Sequence, residues 1–283
     1  MLIAQITDIH IGFDRGNPDE RNMQRLKAVL KRLVDAPSRP DMLLLTGDLT
    51  EFGDAESYAR LADAVSICPF PVWPMAGNHD ERDALLAAFP QTPSEGGFVH
   101  YALESAGICL LLLDTVEPGR QGGGFCEARA AWLRAQLAAR PDTPTVIVMH
   151  HPPFESGIAW LDCSADEPWI ARFADAIAGH RQVKAILSGH LHRTISTVWN
   201  GASLTVCPST APLAALDLTE TDPDRPDGRA MITDELPGYA LHRWDGERLI
   251  SHFESVGDWD VIARYDEGMQ PIVRLIDRER KQR

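Results

Sequence analysis

Short apolar runs alternate with helical stripes through the first two thirds of the chain. Leu2–Ile6, Met42–Thr46 and Val72–Ala76 are mainly apolar and short enough to predict buried strands. Between them, Met23–Val34 places Met23, Leu26, Val29, Leu30 and Leu33 at helical spacing and stops at Pro37 and Pro40, and helical patterning returns over Ala55–Val65. Phe98–Leu103 and Ile108–Leu113 predict an antiparallel pair about Ser105-Ala106-Gly107. Glu127–Ala138 and Glu167–Ala178 predict helices, and Thr145–Met149 and Val183–Leu187 predict two further strands. After that the pattern is mainly β, over Thr194–Trp199, Ser203–Val206, Gly238–Trp244 and Arg248–Phe253. The acidic, proline-containing stretch Ala214–Arg229 reads as a long loop, open to being a solvated surface loop or a lid. The basic tail after Arg274 is expected to be frayed or used in assembly. Strands alternating with helices, then strands alone, predict an α/β fold of two packed sheets with helices on their outer faces.

Composition narrows the functional classes. The 283 residues are 44% apolar and 24% charged, ordinary for a folded globular chain. Acidic residues outnumber basic ones by 41 to 27, a formal net charge of -14, which argues against polymeric nucleic acid and anionic membranes as partners. A small phosphate ester remains compatible with that charge if bound cations set the local field. Five cysteines (Cys68, Cys109, Cys126, Cys163, Cys207) stand singly, without the paired spacing of a disulfide framework or a zinc knuckle. The first residues have no basic leader region, and no apolar stretch approaches the length of a membrane span, so the expected location is the cytoplasm.

The chemistry lies at the ends of the apolar runs. Five of them close on His, Asp or Asn: Asp8/His10, Asp48, Asn78/His79, His150/His151 and His190/His192. Ligands of an open α/β sheet gather outside the carboxyl ends of its strands, so residues distant in sequence can converge there. Imidazole and carboxylate donors without thiolates suit divalent Zn, Fe or Mn in a working site rather than a structural zinc. In extended chain, residues two apart point the same way, so Asp8/His10 and His190/His192 can each present two donors to one centre. Asp48 comes after a glycine where the chain can turn, and its two oxygens allow it to bridge two ions. Each signal alone has a plainer reading: Gly47-Asp48 as a turn, Asn78-His79-Asp80 as the cap of a helix starting near Glu81, and His150-His151-Pro152-Pro153 as a rigid turn. Their joint occurrence at successive strand ends points to a metal centre.

Asp8-Ile-His10, Gly47-Asp48, Gly77-Asn78-His79-Asp80, His150 and Gly189-His190-Leu191-His192 resemble the calcineurin-like metallophosphoesterase signature. The resemblance spans about Leu2 to His192. Met149-His150-His151-Pro152-Pro153 looks like the branch of bacterial cyclic-nucleotide phosphodiesterases and glycerophosphodiesterases, and the two chain ends look closest to the latter. The resemblance implies two facing mixed β-sheets flanked by helices, formed by one domain over 1–283. Residues 1–200 would carry the metal site, and 201–283 would form a β-rich part serving as lid or oligomer interface. It also implies two divalent ions (Fe, Mn, Zn or Co), one held by Asp8, His10 and His192, the other by Asn78, His150 and His190, with Asp48 shared. A hydroxide bridging the ions would attack phosphorus in line. His79 is expected to stabilise the transition state or protonate the leaving oxygen, with Asp80 orienting its ring, while Asn78, His79 and His151 face the substrate. For His151, stacking beneath His150 is the alternative.

The chain departs from that pattern at Pro208-Ser209-Thr210-Ala211, where Pro212-Leu213 comes next instead of His-Gln. Loss of that imidazole leans toward a diester over a monoester. The expected substrate is thus a small, glycerophosphodiester-like phosphodiester, with a 3′,5′-cyclic nucleotide as the alternative, for which Phe13, Trp73, Phe125, Trp160 and Trp169 are candidate stacking residues. A non-catalytic metal-binding scaffold is the reading from a different class. A homo-oligomer is compatible with the β-rich end.

Overall fold

In the computed structural model, which describes residues 1–282, the apolar runs become the central strands of two sheets. The chain begins β1 (Leu2–Ile6), α1 (Arg21–Asp35), β2 (Met42–Thr46), α2 (Ala55–Val65), β3 (Val72–Met75) and α3 (Arg82–Ala88). It continues with β4 (Tyr101–Ser105), β5 (Ile108–Leu113), α4 (Glu127–Ala138), β6 (Thr145–Met149), α5 (Pro168–Ile177) and β7 (Val183–Ser188). The remainder is β8 (Ile195–Trp199), β9 (Ala202–Val206), β10 (Leu213–Ala214), β11 (Ile232–Thr233), β12 (Gly238–Trp244), β13 (Leu249–Ser255) and α6 (Gln270–Lys281). One sheet runs β13-β12-β1-β2-β3, with β1, β2 and β3 parallel; the other runs β4-β5-β6-β7-β9-β8, with β5, β6, β7 and β9 parallel. The C-terminal hairpin β12–β13 therefore completes the first sheet instead of standing apart from it.

Period-two alternation in β5 and β6 shows how the layers stack. Ile108, Leu110, Leu112, Val146 and Val148 pack in one core with the β1–β3 sheet, whereas Cys109, Leu111, Leu113, Ile147 and Met149 pack against Leu133, Trp169 and Phe173 of α4 and α5. The apolar stripe of α1 joins the first core, giving helix, sheet, sheet, helix. Each fully buried aliphatic side chain contributes about 1.5–3 kcal/mol relative to exposure.

Buried polar groups tie the sheets together. Gln5 Nε2 donates to Thr46 Oγ1 (2.9 Å) and to Ser188 O on β7 (3.0 Å), crossing from one sheet to the other. Its Oε1 accepts from His242 Nε2 (2.9 Å), whose Nδ1 lies 2.7 Å from Ser251 Oγ. Burial pulls His242 down to about 3, so the ring is neutral and can donate at one nitrogen while accepting at the other.

Several boundaries differ from the periodicity. The predicted strand at Phe98–Leu103 starts at Tyr101 and runs to Ser105, because Val99 N donates to Asp114 Oδ2 (2.9 Å) instead of joining the ladder. The helix after Asp80 begins at Arg82, with Glu81 rather than Asp80 at its N-cap. Ala214 ends β10, and the rest of Ala214–Arg229 lies in the connection between the short paired strands β10 and β11. The basic tail forms α6 rather than fraying at Arg274. Trp169 and Phe125 are core residues, Trp73 packs beside Tyr101, and Phe13 is largely exposed. Among the described residues no helix is long and apolar enough to cross a membrane.

Asp114 anchors the region beside α3. Its buried carboxylate accepts from Arg82 Nε (2.7 Å) and Nη2 (2.8 Å), Val99 N and Val116 N, and buried Arg129 lies 3.8 Å away. Asp114→Ala would leave half-buried Arg82 without its counter-charge and buried Arg129 with Glu117 alone, and is expected to cost about 3–5 kcal/mol of unfolding free energy. Urea denaturation of metal-loaded protein reads this, with Glu104→Ala, which removes an exposed partner of Arg140, expected to change it by less than about 1 kcal/mol.

Candidate metal centre

The parallel strands of both sheets end at one place. Asp8 and His10 lie just past β1, Asp48 past β2, Asn78 and His79 past β3, His150 and His151 past β6, and His190 and His192 past β7. The backbone there is unusual. Among the described residues seven non-glycine positions have positive φ, and five of them are Asp8 (50°), His10 (53°), Asp48 (49°), His190 (71°) and His192 (51°). Such conformations cost of order 1–3 kcal/mol per residue and persist where the surroundings over-determine them. The expectation of extended chain at Asp-x-His and His-x-His is thereby corrected: left-handed turns, not strand alternation, aim these donors. His190 and His192 also separate, His192 grouping with Asp8 and His10, and His190 with His150 and His151.

Glycines make room for the convergence. A Cβ on Gly77 would overlap the Asp48 carboxylate and main chain, one on Gly189 would overlap Thr7, and one on Gly47 would overlap the His150 ring. The segment Ser209–Pro212 closes the remaining side. Ala211 N donates to Asp8 O (2.9 Å), and Pro212 O faces His192 Nδ1 at 2.9 Å. Pro212, noted in the sequence for the imidazole it replaces, thus contributes its carbonyl.

The imidazoles are held by their outer nitrogens. His10 Nδ1 meets Glu51 Oε2 (2.7 Å), His150 Nδ1 meets Thr46 O (2.8 Å), and His192 Nδ1 meets Pro212 O. A carbonyl only accepts, so in His150 and His192 the hydrogen sits on Nδ1 and the Nε2 lone pair points inward. His10 Nε2 and His192 Nε2 face each other at 3.2 Å. His150 Nε2 is buried without a hydrogen-bond partner, 3.3 Å from Asp48 Oδ2. Asp8 Oδ1 lies 3.4 Å from His192 Nε2 and 4.0 Å from His150 Nε2. With neutral rings these contacts set acceptor against acceptor, so either ring protons or a metal cation must lie between them, and this donor set fits divalent metal.

Electrostatics reinforce that reading. Burial pulls His150 down, but the charges of Asp48 and Asp8 carry it up to about 9. His10 is likewise raised: burial opposes protonation, and Glu51, Asp48 and Asp8 outweigh it. Burial would push Asp48 up, yet the His150, His10 and His79 rings hold it well below the usual carboxylate range. Burial and the His150 charge lower His190 to about 4, and burial lowers His192 and, further, His151. Protons on His150 and His10 offset the Asp48 and Asp8 charges in place of a metal.

The remaining site residues take up less expected places. His79 is half-buried, its N–H donates to Asp48 Oδ1 (2.9 Å), and its Nδ1 lies 3.0 Å from Glu51 O. The ring stands edge-on to His10 with centroids 4.7 Å apart. Asp80, expected to orient that ring, does not touch it. Its buried carboxylate accepts from Leu49 N, Thr50 N, Gly77 N and the Tyr58 hydroxyl (2.7 Å), locking the β2 and β3 turns together. Glu51 fills the orienting position instead, and no motif signals it; it sits in an ordinary loop three residues after Asp48. His151 is buried, edge-on to His150, and points Nε2 at Asn78 Oδ1 (3.1 Å) with Thr115 Oγ1 on its other nitrogen (2.8 Å). His151 thus meets the site through the Asn78 amide, whose Nδ2 donates to Gln121.

With this arrangement of strand ends and inward-facing donors in view, comparison with known proteins is unambiguous at the family level. The calcineurin-like phosphoesterase profile matches residues 1–194, and the chain belongs to that family. A probable glycerophosphodiester phosphodiesterase of Arcobacter nitrofigilis is 29% identical over 266 residues, covering 92% of this chain and 95% of the relative. A probable cyclic nucleotide phosphodiesterase of Synechococcus is 36% identical over 221 residues, 75% of this chain and 81% of the relative. Among solved structures, a dimetal phosphatase from Danio rerio has the same fold, with a TM-score of 0.65 at 15% identity over 91% of this chain and 97% of that one.

The close approach at Gly77 provides a test of the geometry. Gly77→Ala is expected to lose at least about half of the bound metal, because donor positions tolerate displacements of only about 0.5 Å. Elemental analysis of purified protein measures this, with far-UV circular dichroism confirming an intact fold.

Proposed function

We propose that the chain is a binuclear-metal phosphodiesterase acting on small glycerophosphodiester-like substrates. The observation that carries the reading is the pair of inward-facing donor groups meeting at the buried Asp48 carboxylate. Asp8, His10 and His192 would hold one ion and Asn78, His150 and His190 the other, with Asp48 available to both. When bound, the ions, drawn from Fe, Mn, Zn or Co, supply Lewis acidity toward the phosphoryl oxygens and a nucleophile at neutral pH. Asn78 Oδ1 has one lone pair engaged by His151 and another free for its ion.

The chain's own residues do the rest. Glu51 fixes two rings at once, His10 through its carboxylate and His79 through its carbonyl. With Nδ1 donating to that carbonyl, the protonated form of His79 has a second hydrogen on Nε2, which it can give to the leaving alcohol oxygen, returning to the neutral ring. The charge of that protonated ring before transfer is compensated by Glu51 Oε1, 3.8 Å from Nδ1. The extent of the match to the glycerophosphodiester relative, which runs through β12 and β13, supports that substrate class. The 36% identity to the cyclic nucleotide relative and the exposed Phe13 support the second reading.

Metal-stripped protein is expected to be inert toward bis(4-nitrophenyl) phosphate and to gain activity on adding Mn²⁺. Glycerophosphocholine is expected to be cleaved faster than cyclic AMP at equal metal loading; the reverse order would select the second reading. His79→Ala is expected to lower kcat by about 10²–10⁴-fold with metal content unchanged. Loss of metal in that variant would instead make His79 a ligand.

A further inference from the structure

Two polar side chains on the inward face of α1 have no part in the chemistry described so far. Asn22 is 6% and Arg25 7% exposed, three residues apart among Met23, Leu26, Val29 and Leu30. A guanidinium in that position carries a desolvation cost that an apolar side chain of similar length would avoid. An ion pair does not account for it, because the one carboxylate near Arg25, that of Asp234, is 3.3 Å away and 54% exposed. The closer partners are main-chain carbonyls: Arg25 Nε donates to Thr210 O (2.7 Å) and Nη2 to Ala211 O (3.0 Å).

Those carbonyls belong to the wall of the metal centre. Thr210 N donates to Thr7 O (3.0 Å) and Ala211 N to Asp8 O, and the next carbonyl along, that of Pro212, takes the Nδ1 hydrogen of His192. Few other donors reach them. Thr210 O has no second donor among the described residues. Ser209 Oγ lies near both Asp8 O (3.0 Å) and Ala211 O (2.9 Å), but a hydroxyl has one hydrogen and serves one of them. On the other side of the same group of ligands, Asn22 Nδ2 donates to His10 O (2.9 Å). Both side chains thus support the group formed by Asp8, His10 and His192. The rest of the centre is held elsewhere, His150 by Thr46 O at the end of β2.

We propose, resting on the two-ion reading of the site, that Arg25 is a positioning residue for one ion of the pair. By pinning the Thr210 and Ala211 carbonyls it fixes Pro212 O, and through Pro212 O the ring orientation and tautomer of His192. The two ions then have separate supports, helix α1 behind one and the end of β2 behind the other. Affinity for the first ion is set by a side chain that touches neither the ion nor a ligand.

Calorimetric titration of the metal-stripped full chain with Mn²⁺ is expected to resolve two ions. Arg25→Met is expected to weaken one of them by about 10–100-fold and to leave the other within about twofold. His192→Ala, which removes a ligand of the first ion, identifies the one retained. The double variant Arg25→Met/His192→Ala is expected to bind Mn²⁺ as His192→Ala does, because both changes act along one path. Far-UV circular dichroism checks the fold. Arg25→Lys keeps the cation but not the planar pair of donors, and is expected to show the same selective loss should Arg25→Met not fold. A parent that binds a single ion overturns the two-ion reading and this proposal with it. Where the parent binds two, equal weakening of both ions, no weakening of either, or a further loss in the double variant overturns the role of Arg25 alone.

Discussion

Asp48 is buried where two sheets end, and the molecule is arranged around keeping it there. Its carboxylate is approached by the His150 and His10 rings and accepts the His79 N–H, and there is no room at Gly77 for a side chain. Bringing five strand ends to that one group forces left-handed backbone at Asp8, His10, Asp48, His190 and His192. At of order 1–3 kcal/mol each, that strain rivals the net stability of an ordinary domain. It is sustained by what lies behind it: the Asp80 carboxylate binding three backbone N–H groups, Gln5 bridging the sheets, and aliphatic cores on both sides.

The same framework presets the rings. Three of the imidazoles at the centre, those of His150, His192 and His10, are held at Nδ1 by acceptors belonging to the fold: Thr46 O at the end of β2, Pro212 O before β10, and Glu51 beyond the β2 turn. Orientation and tautomer are thus fixed by the folded backbone rather than by the ion. A site built this way has its lone pairs aimed before the metal arrives, and the protons on His150 and His10 are what the incoming ions displace.

The strands that position the site were legible because each is a short apolar run broken by a residue type that does not belong in a core. Asp8, Asp48, His150 and His190 announce themselves by that contrast, and their order carries the family resemblance. What was not legible depends on contacts far apart in sequence. The left-handed turns at Asp8 and His192 have no local signature, since neither residue is glycine and neither flanks a proline. Glu51 and Pro212 act on rings 41 and 20 residues away. Asp80 looked like a partner of its neighbour His79, yet the turn from β3 points it toward the β2 end, where two N–H groups there and the Gly77 N–H of its own turn outcompete one imidazole. The strand predicted from Phe98 starts only at Tyr101 for a similar reason, Asp114 capturing the Val99 N–H.

Charge then bears on which esters suit the site. The surface is strongly acidic, but fields from exposed charges fall off over a Debye length of about 10 Å, whereas the centre is enclosed. Asp8, Asp48 and Glu51 bring three negative charges to it, and two divalent ions outweigh them by about one. A phosphodiester carries one negative charge and is accommodated at near neutrality. A monoester brings nearly two and lacks the imidazole that Pro212 replaces. A polynucleotide would lay further phosphates across the acidic loop beyond β10. Bound ions would thus set a local excess of positive charge within a globally negative molecule, which favours the small, singly charged diesters of the proposed function.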